Sequence, residues 1–482
     1  MRSTPQCLMH QGRPERFAKG KNRKNYVQET RSIMNSSPDS KTVYAQRNPL
    51  ESDPAPGPDI KLTRMQMAQA VAVSCLGWSF DLFDLFIILY VAPILAHTFF
   101  DSASQMLSLA AVYGAFTATL IMRPVGGWFF GRYSDRHGRK RTLVTAAVGV
   151  GVSTACMGLL PTYHSIGIAA PTVFLLLRLI QGVFMGGMVA ATHTLGTESI
   201  GPGRRGLASG IISGGGSGIG KLFASLVFVL VSTLIPGPLF AVWGWRVMFF
   251  SGLVSSLLGL FVFTRLQESP LWLALAAQKH KKTLPQRTLK GYGGVIVSCV
   301  LLTLTGGGLS YLTSGYLPTF LKIVNHLPAT TIGLIMSVSG ICVIAASVLS
   351  GALTDYIGRR RAMLLYGVVS LVTLPLLYLA LRDARTVFPI AACAVALSAI
   401  GTFCYAPLLI VLNERFPTAI RSTGTAVSWN IGFAIGGSLP SFVSLAARRV
   451  EAVPVTLAIA TALVSLIYLL TTWCLRENQR LM

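Results

Sequence analysis

Two carboxylates lie three residues apart in a long apolar run near the start of the chain. Asp81 and Asp84 belong to the sequence Trp-Ser-Phe-Asp-Leu-Phe-Asp that begins at Trp78. A spacing of three residues places both side chains on one face of a helix, where we expect them to face a cavity. Two neighbouring carboxylates in a poorly solvated site favour protonation of at least one, so the pair suits reversible proton binding. The alternative is that they pair with Arg123 or Arg178 and hold helices together.

Three cations lie in other apolar runs, and each has competing interpretations. Arg123, followed by Pro124, carries a planar guanidinium suited to a carboxylate, so we expect it to bind the substrate or to form a coupling ion pair. Arg178 has the same chemistry, but it lies near the start of its run, where an interfacial structural role competes with substrate binding. Lys221 in a cavity would favour an anionic substrate; otherwise it reaches to the membrane surface or pairs with an acid of the first run.

Amphipathic side chains form a second set of candidates. His193, in the fourth apolar run, is a candidate proton relay, although a lone histidine is more often a hydrogen-bonded structural residue. In the second half of the chain, amphipathic groups are candidates for substrate binding in a cavity, and they equally suit helix contacts and membrane interfaces. These cavity-lining candidates are Tyr311, Tyr316, Asn413, Trp429 and Asn430.

The sequence offers no cofactor or metal site, and nothing in it indicates an enzyme. Its eight cysteines are scattered, without a Cys-x-x-Cys pair or a histidine at ligand spacing. The run Gly-Gly-Ser-Gly-Ile-Gly-Lys that ends at Lys221 is similar to the first part of a phosphate-binding loop, but Leu222 stands where the magnesium-binding Ser or Thr is required. We interpret its glycines, together with Gly182 and Gly186, as close-packing helix surfaces.

These residues lie in a chain that is too apolar for a soluble protein. Of its 482 residues, 52% are hydrophobic and 12% are charged, about half the usual quarter. Twelve apolar runs of roughly 19 residues or more are long enough to cross a bilayer core about 30 Å thick. Because unpaired backbone groups are not tolerated in lipid, the runs predict an all-α membrane protein with twelve transmembrane helices. The predicted spans are 67–96, 106–130, 142–160, 171–194, 207–235, 246–264, 292–320, 329–353, 362–381, 386–411, 423–446 and 453–475.

The positive charge of the chain predicts its orientation in the membrane. The formal net charge is +24, from 41 Lys+Arg and 17 Asp+Glu. With twelve spans, 32 of these cations lie on the side of the termini and six on the other, and the short loops alone divide 18 to 6. The positive-inside rule then places both termini and the central loop in the cytoplasm. We expect the spans to lie in the plasma membrane, as the inner membrane of a bacterium. Topology explains the charge, so nucleic-acid binding is not expected.

A long motif occurs twice, 220 residues apart. Its copies, Gly131–Arg141 after span 2 and Gly351–Arg361 after span 8, each contain a Gly, an Asp, a second Gly and a basic cluster. The repeat implies two six-span halves in the same orientation. The predicted parts are a cytoplasmic and disordered tail 1–64, an N-terminal bundle 65–265, a cytoplasmic linker 266–291, a C-terminal bundle 292–476 and a cytoplasmic C-terminus 477–482. The tail has no apolar core of a signal peptide, and Met34 is an alternative start that would remove residues 1–33.

We interpret the repeated motif as a gate. In the first copy, small glycines are expected to permit close helix approach and a tight turn, while the acid pairs with the basic cluster or with a neighbouring helix end. Such contacts would form in one state of the protein and break in the other, although the basic cluster could instead serve only to orient the loop. The gating candidates are Gly131, Asp135, Gly138, Arg139, Lys140, Arg141, Asp355, Gly358, Arg359 and Arg360.

At these residues the chain resembles the major facilitator superfamily of secondary transporters. The repeated motif, the run Arg-Leu-Ile-Gln-Gly from Arg178 and the Glu-Ser-Pro from Glu268 all look like that family, over about residues 66–475. The resemblance implies two six-helix bundles around a central cavity, alternating access, and a monomer that suffices for transport.

Two branches of that superfamily are closer in pattern. The Asp-x-x-Asp of span 1 resembles aromatic acid:proton symporters, and Arg-Pro-x-Gly-Gly from Arg123 is similar to metabolite:proton symporters, with sialate and lactate symporters close in pattern. Both families carry organic anions with protons. One departure is that Met188 stands where metabolite symporters usually have a Glu, so Asp81 or Asp84 would have to take the role of that Glu, or else proton coupling itself is open.

The resulting hypothesis is a proton-coupled symporter that imports a small organic anion, such as a mono- or dicarboxylate, an aromatic acid or a sugar acid. The partners are this anion, the proton and the lipid bilayer. A drug or cation exporter of the same fold is the alternative, because a pair of acids would attract a cation, while Arg123, Arg178 and Lys221 argue against it. A membrane sensor is a third class, which would need an appended signalling domain or a long ordered tail.

Overall fold

The computed structural model describes residues 64–100, 102, 104–137, 139–198, 204–265, 291–417 and 420–475. Within these ranges every regular element is a helix. All but the last residue of the predicted tail 1–64, nearly all of the linker 266–291 and the C-terminus 477–482 lie outside the described residues. The domain boundaries therefore stay predictions.

Twelve helices of the described chain are long and apolar enough to cross a membrane, which confirms the predicted fold class. Spans 1–6 are Met67–Phe99, Gln105–Tyr133, Arg141–Gly158, Ala169–Met188, Arg205–Leu234 and Phe240–Phe261. Spans 7–12 are Gly293–Ile323, Ala329–Ile357, Arg359–Asp383, Val387–Arg415, Thr423–Ala447 and Val450–Cys474. Several helices run past these limits: Arg64–Phe99, Gln105–His137, Arg139–Gly158, Ala169–Glu198, Trp245–Arg265 and Arg421–Ala447.

The packing of the spans repeats from one half to the other. Span 2 packs on span 4 and span 3 on span 6, and the equivalent pairs of the second half, spans 8 and 10 and spans 9 and 12, pack in the same way. Between the halves, span 2 packs on span 11 and span 5 on span 8, which are again equivalent pairs. This pattern agrees with the parallel duplication that the repeated motif predicts.

Three spans in the interior are not continuous α-helices. Span 5 consists of Arg205–Ser209, a π-helical turn Gly210–Gly215 and the helix Gly216–Leu234. Span 7 consists of Gly293–Ser310, a π-helical turn Tyr311–Gly315 and Leu317–Ile323, while span 10 is broken between Val387–Phe403 and Leu408–Arg415. Such π-helical turns are frequent at functional sites. A third one, Phe240–Gly244, begins span 6.

The helices alternate in direction, so the bundle has two faces. We call the face where span 1 begins and spans 2, 8 and 10 end the terminal face, and the other the opposite face. Large apolar side chains on the outer surface are more than half exposed, as contact with lipid requires. They include Leu230, Phe261, Leu334, Leu376 and Leu470.

Spans 2 and 4 approach each other through glycines, as their spacing predicts. A Cβ atom added to Gly186 would lie 2.1 Å from the backbone oxygen of Arg123, and one added to Gly182 would lie 2.2 Å from that of Thr119. In span 5, a Cβ added to Gly220 would lie 2.5 Å from the backbone oxygen of Ser79. Such distances leave no room for a side chain, so these glycines set how closely spans 1, 2, 4 and 5 pack.

Replacing Gly186 by Ala is therefore expected to destabilise the protein. The added Cβ meets backbone atoms that move only with the whole helix, and overpacking of this kind costs about 1–3 kcal/mol, more than the roughly 1 kcal/mol that Ala gains in helix propensity. Thermal unfolding of the purified protein in detergent should show a lower midpoint for Gly186→Ala. Gly293→Ala, where no atom of the described residues lies within 4 Å of the added Cβ, is the matched control: its midpoint should not fall, because only the favourable change in helix propensity acts there. Equal midpoints for both variants would contradict this packing.

Candidate functional site

Asp81 and Arg123 form a buried ion pair between spans 1 and 2. The Nη1 atom of Arg123 lies 2.9 Å from Oδ2 of Asp81, and Nη2 donates to Oδ1 at 3.0 Å. The side chains are 2% and 1% exposed. The pair thus combines one charge-assisted hydrogen bond with a second close contact between the charged atoms. Of the two predicted roles of Arg123, the ion pair is the one seen in this conformation.

Asp84 does not share the surroundings of Asp81. Its Oδ1 atom lies 3.4 Å from the hydroxyl of Thr154 on span 3, which accepts a hydrogen bond of 2.7 Å from Gln181 on span 4. The Oε1 atom of Gln181 in turn accepts from Arg178 at 2.7 Å. Asp84 therefore lies in a polar chain inside the first half, and the expectation that both carboxylates face one cavity is wrong. Three residues turn a helix by about 300°, so the pair shares a face only loosely, and spans 2 and 3 contact its two edges.

Arg178 is buried rather than interfacial. Its guanidinium lies over the rings of Phe174 and Phe249, 5.3 and 5.6 Å from their centroids, and the side chain is fully buried. Contact with ring faces stabilises a cation away from water. The structure thus places Arg178 in the core of the first half, where it connects to Asp84 through Gln181 and Thr154.

Lys221 carries a buried ammonium that bridges the two halves. Its Nζ atom donates to the hydroxyls of Ser314 on span 7 and Ser398 on span 10, at 3.1 and 2.9 Å. The side chain is 1% exposed, so it does not reach to the membrane surface. Among the described residues no carboxylate lies within ion-pair distance of it, so it does not pair with an acid of span 1. An ammonium held by neutral hydroxyls alone leaves a buried positive charge uncompensated.

A cluster of aromatic side chains lies between the two halves, next to the Asp81–Arg123 ion pair. We call Trp78, Tyr311, Tyr405, Trp429 and Phe433 the interface cluster. The indole of Trp78 donates to the hydroxyl of Tyr405 at 2.9 Å and meets Trp429 edge-on, with centroids 5.7 Å apart. Phe433 stacks on Trp429 at 4.7 Å and contacts Tyr311 and Tyr405 at 5.8 Å. Both tyrosines are close enough to Asp81 and Arg123 to interact with them electrostatically.

Two candidates from the sequence have local roles instead. The amide of Asn430 donates to the backbone oxygen of Ala426 in its own helix, at 2.9 Å. Asn413 accepts from Thr425 at 2.9 Å and so joins spans 10 and 11. Sequence reasoning found Tyr311 and Trp429 but missed Tyr405 and Phe433, because an aromatic residue in an apolar span carries no signal that separates it from a lipid-facing one.

On the terminal face, the second copy of the repeated motif joins the two halves. The carboxylate of Asp355 accepts hydrogen bonds from the backbone N–H groups of Gly206 and Leu207, at 2.9 and 2.8 Å, at the start of span 5. Arg359 contacts both Asp355 and Glu414. A carboxylate at a helix N-terminus accepts hydrogen bonds from otherwise unpaired N–H groups and interacts favourably with the helix dipole. Asp355 therefore connects span 8 of the second half to span 5 of the first, while Arg359 contacts Asp355 and Glu414 within the second half.

Other gating candidates lie elsewhere. Arg360 donates to the backbone oxygen of Trp473 on span 12, at 2.8 Å, so its assignment to the gate is wrong: it points away from the interface. Gly358 has a φ of 91°, a left-handed turn that ends span 8 and starts span 9. At Gly131 no atom of the described residues lies within 4 Å of an added Cβ, so the expected close helix approach is not seen there.

The rest of the first copy cannot be compared with the second. Arg141 is exposed. The side chains of Asp135, Arg139, Lys140 and His193, and the whole of Gly138, lie outside the described residues, so their roles stay predictions.

The halves also meet toward the opposite face. The rings of Tyr113 and Tyr316 stack with centroids 5.1 Å apart, and the hydroxyl of Tyr113 donates to Thr319 at 2.8 Å. The hydroxyl of Tyr316 lies 3.1 Å from that of Ser444 on span 11. Spans 2, 7 and 11 are thus joined on this side, while Asp355 closes the terminal side. Within the described residues, the buried charges lie between these two layers of contacts.

A depression of about 910 Å³ lies outside the tyrosine layer. Residues of both halves from the opposite face line it, among them His97, Thr162, Lys322, Arg382 and Glu451. It lies at the ends of spans 1, 7 and 9, on the opposite face.

The Asp81–Arg123 pair is expected to show strong energetic coupling. Removing one partner leaves a buried unpaired charge, which costs about 3–5 kcal/mol, whereas removing both avoids that penalty. The double variant Asp81→Asn/Arg123→Gln should therefore lose less unfolding free energy than the two single variants together. The exposed pair Arg382–Asp383, at 2.8 Å, is the control and should give additive effects. Additive losses at Asp81 and Arg123 would contradict the buried pair.

Asp355→Asn is expected to loosen the terminal face. Loss of a capping carboxylate costs about 0.5–2 kcal/mol, which raises the open fraction roughly 2- to 30-fold. Ser209, which donates to the backbone oxygen of Ala406 across the interface at 2.9 Å, supplies the reporter. Alkylation of a Ser209→Cys variant should become faster when Asp355→Asn is added. Arg360→Gln, in the same loop but away from the interface, should leave the rate unchanged, and an equal rate in all three proteins would overturn the gate.

Comparison with known proteins agrees with this architecture. The Major Facilitator Superfamily profile matches residues 71–439 and 300–480. The inner membrane metabolite transport protein YhjE of Escherichia coli is 32% identical over 387 residues, 78% of this chain and 87% of that protein. The alpha-ketoglutarate permease of E. coli is 29% identical over 81% of this chain and 90% of its own length, and the E. coli proline/betaine transporter is 29% identical over 80% and 78%.

Among solved structures, the xylose transporter XylE from E. coli, in a partially occluded inward-open conformation, matches with a TM-score of 0.65. It is 19% identical, over 83% of this chain and 97% of that one. At this identity the likeness shows the fold, with its two six-helix bundles. Because the family profile covers most of the chain and YhjE exceeds 30% identity, the chain belongs to the Major Facilitator Superfamily and is a secondary transporter of twelve transmembrane spans.

Proposed function

We propose that this transporter is a proton-coupled symporter that imports a small organic anion by alternating access. The observation that carries the proposal is Lys221, a buried ammonium between the halves whose partners are two neutral hydroxyls. A buried charge without a counter-ion is costly, so an anion that binds there is favoured. The hydroxyls of Ser314 and Ser398 can rotate to donate to the same anion.

Proton coupling fits Asp84 best. It contacts the hydroxyl of Thr154, and no described cation lies within ion-pair distance of it, whereas Asp81 is compensated by Arg123. A proton on Asp84 removes a buried negative charge. Asp81 would contribute in a second way, because its protonation would release the fork of Arg123 for the substrate. In these roles both acids of span 1 would take part in proton coupling. Arg178 would be the cation whose interaction with Asp84 changes when Asp84 binds a proton.

Alternating access would proceed by opening one of the two layers of contacts at a time. Opening the terminal face breaks the contacts of Asp355 with span 5, and opening the opposite face separates Tyr113 from Tyr316. Lys221 lies on span 5 and contacts spans 7 and 10, so the anion site belongs to both halves. An anion bound there would replace contacts that now tie the halves together, which is the differential interaction that a conformational change needs.

The direction of transport rests on charge and on the relatives. The excess of cations in the short loops places the terminal face in the cytoplasm. The depression at the opposite face would then open outside the cell. The alpha-ketoglutarate permease is named for a substrate with carboxylate groups, and this supports an anionic substrate for the present chain. The cation exporter is less suitable, because Asp81 is already neutralised by Arg123. We propose that a single chain is the working unit.

The test is uptake of radiolabelled organic acids into right-side-out vesicles, with a pH gradient and with that gradient collapsed by an ionophore. Accumulation of one acid that depends on the gradient would support the proposal. Absence of uptake of every acid, with extrusion of a lipophilic cation from inverted vesicles, would overturn it in favour of the exporter.

Asp84→Asn is expected to abolish uptake driven by the pH gradient while sparing exchange of labelled for unlabelled substrate. The amide cannot take up a proton, but the anion site at Lys221 remains. Asp383→Asn changes an exposed acid at the opposite face and is the matched control, with uptake unchanged. Full accumulation against a gradient by Asp84→Asn would remove Asp84 from the coupling step.

A further inference from the structure

Arg178 is a buried guanidinium with few hydrogen bonds. Its Nη1 atom donates to Oε1 of Gln181 at 2.7 Å, whereas Nε and Nη2 have no hydrogen-bond partner among the described residues. The side chain is fully buried, and its other close neighbours are the rings of Phe174 and Phe249. A guanidinium has five N–H donors and pairs best with a carboxylate, so this cation is held in an incomplete set of contacts.

Asp84 is a buried carboxylate in the same half. Its side chain is 2% exposed, and no described cation lies within ion-pair distance of it. Two charged groups act on it electrostatically, Asp81 on its own helix and Arg178 on span 4. Spans 3 and 6 meet it with uncharged groups. These are the hydroxyl of Thr154 and Gly252, where an added Cβ would lie 2.7 Å from Oδ1 of Asp84.

The other buried cations of the described structure have different partners. Arg123 on span 2 is paired with Asp81. Lys221 on span 5 donates to hydroxyls on spans 7 and 10 of the second half. Arg178 is therefore the cation that is left to neutralise Asp84, although the two are not in contact.

Gln181 lies in the hydrogen-bonded path between these two charges. It follows Arg178 by three residues on span 4, so the two side chains are neighbours on one helix. Because a guanidinium only donates, the amide must turn its oxygen to Arg178 and its NH₂ group to Thr154, to which it donates at 2.7 Å. The side chain is fully buried. Its orientation is thus fixed at both ends.

Thr154 gives Asp84 only part of a hydrogen bond. Its hydroxyl has a single proton, which faces the backbone oxygen of Val150 at 2.8 Å and Oδ1 of Asp84 at 3.4 Å. The nearer acceptor belongs to its own helix, so an ionised Asp84 receives little from this group. A direct pair with Arg178 would instead hold Asp84 ionised and oppose proton uptake.

We propose that Gln181 is a positioning residue for proton coupling: its amide engages the guanidinium of Arg178, keeps it out of contact with Asp84 and thereby sets the pH at which Asp84 binds a proton. This proposal rests on the proposed function, in which Asp84 carries the proton. Gln181 takes up no proton and touches no substrate in this role. It keeps a carboxylate and a cation near each other without the ion pair that would fix the charge of both.

The test is a pH titration of the purified full-length protein in detergent, followed by the infrared absorption of protonated carboxylic acids. The proton is the only ligand in this measurement, so no transported acid has to be known. The band of Asp84 is the one that disappears in Asp84→Asn, and the same subtraction identifies it in each further variant. Its intensity against pH gives the midpoint at which half of Asp84 is protonated.

Two substitutions of Gln181 are expected to move this midpoint in opposite directions. Gln181→Ala removes the amide and frees Arg178 to reach Asp84, which favours the ionised carboxylate, so the midpoint should fall by about one pH unit or more. Gln181→Glu places a carboxylate on Arg178 and a second negative charge near Asp84, so the midpoint should rise by about one pH unit or more. Gln105→Ala changes an exposed glutamine at the start of span 2 and is the matched control, with an unchanged midpoint.

The outcomes separate this proposal from the proposed function. A role of Gln181 in packing alone would admit water in either variant and lower both midpoints. Shifts of the same sign, or no shift in either variant, would therefore overturn the role of Gln181 and leave proton binding by Asp84 standing. If Gln181→Ala does not fold, a rise in Gln181→Glu still decides, because added water would lower the midpoint. If no band of the unaltered protein disappears in Asp84→Asn, the coupling step of the proposed function falls together with this inference.

Discussion

Burial of an uncompensated ammonium is the constraint around which the interface between the halves is arranged. Lys221 extends from span 5 of the first half to hydroxyls on spans 7 and 10 of the second. Two neutral hydroxyls replace part of the water that the ammonium loses, but they do not cancel its charge. The closed conformation is therefore held together by a contact that is incomplete, and a ligand that completes it would change the balance between conformations.

The other buried charged side chains interact with one another, and none of them pairs with Lys221. Asp81 and Arg123 form an ion pair that includes one hydrogen bond, whereas Asp84 is linked to Arg178 through Thr154 and Gln181 and has no described cation within ion-pair distance. A direct ion pair is stable and hard to break, whereas a carboxylate reached through neutral groups can take up a proton at a smaller cost. The same helix thus carries one acid that joins spans 1 and 2 by an ion pair and another without a direct ion-pair partner among the described residues.

Two layers of contacts connect the halves, one around Asp355 at the terminal face and one around Tyr113 and Tyr316 toward the opposite face. They differ in chemistry because they lie at different depths of the bundle. At the terminal face, charged groups of Asp355 and Arg359 meet the start of a helix, where unpaired N–H groups are available. Toward the opposite face, stacked tyrosines close the path within the apolar depth of the bundle. The π-helical turn Gly210–Gly215 lies between Lys221 and the start of span 5, where Asp355 binds, and Ser314 lies within the π-helical turn Tyr311–Gly315, two residues before Tyr316. Local breaks in regular hydrogen bonding at these places allow the helix ends to move relative to the site.

The sequence by itself determined the parts of this protein that depend on local composition. Hydropathy fixes twelve spans because each must bury its own backbone in lipid, and the distribution of cations predicts orientation for a similar reason. The repeated motif pointed to Asp355, which contacts the start of span 5 in the first half, and to Arg359, which contacts Asp355. It did not distinguish Arg360, which points to span 12, or Gly131, which faces open space.

Only the tertiary structure decided which buried groups meet. Whether Asp81 or Asp84 pairs with Arg123, and whether Lys221 faces the membrane surface or the second half, depends on how each helix is rotated and on helices far away in sequence. Tyr113, Tyr405 and Phe433 were not found from the sequence, because their neighbours lie 200 or more residues away or on the adjacent span, and an aromatic side chain in an apolar run looks the same on every face. The sequence supplied the charges and the lengths, and packing assigned the partners, because a charge in a dry interior is defined by what lies within a few ångströms of it.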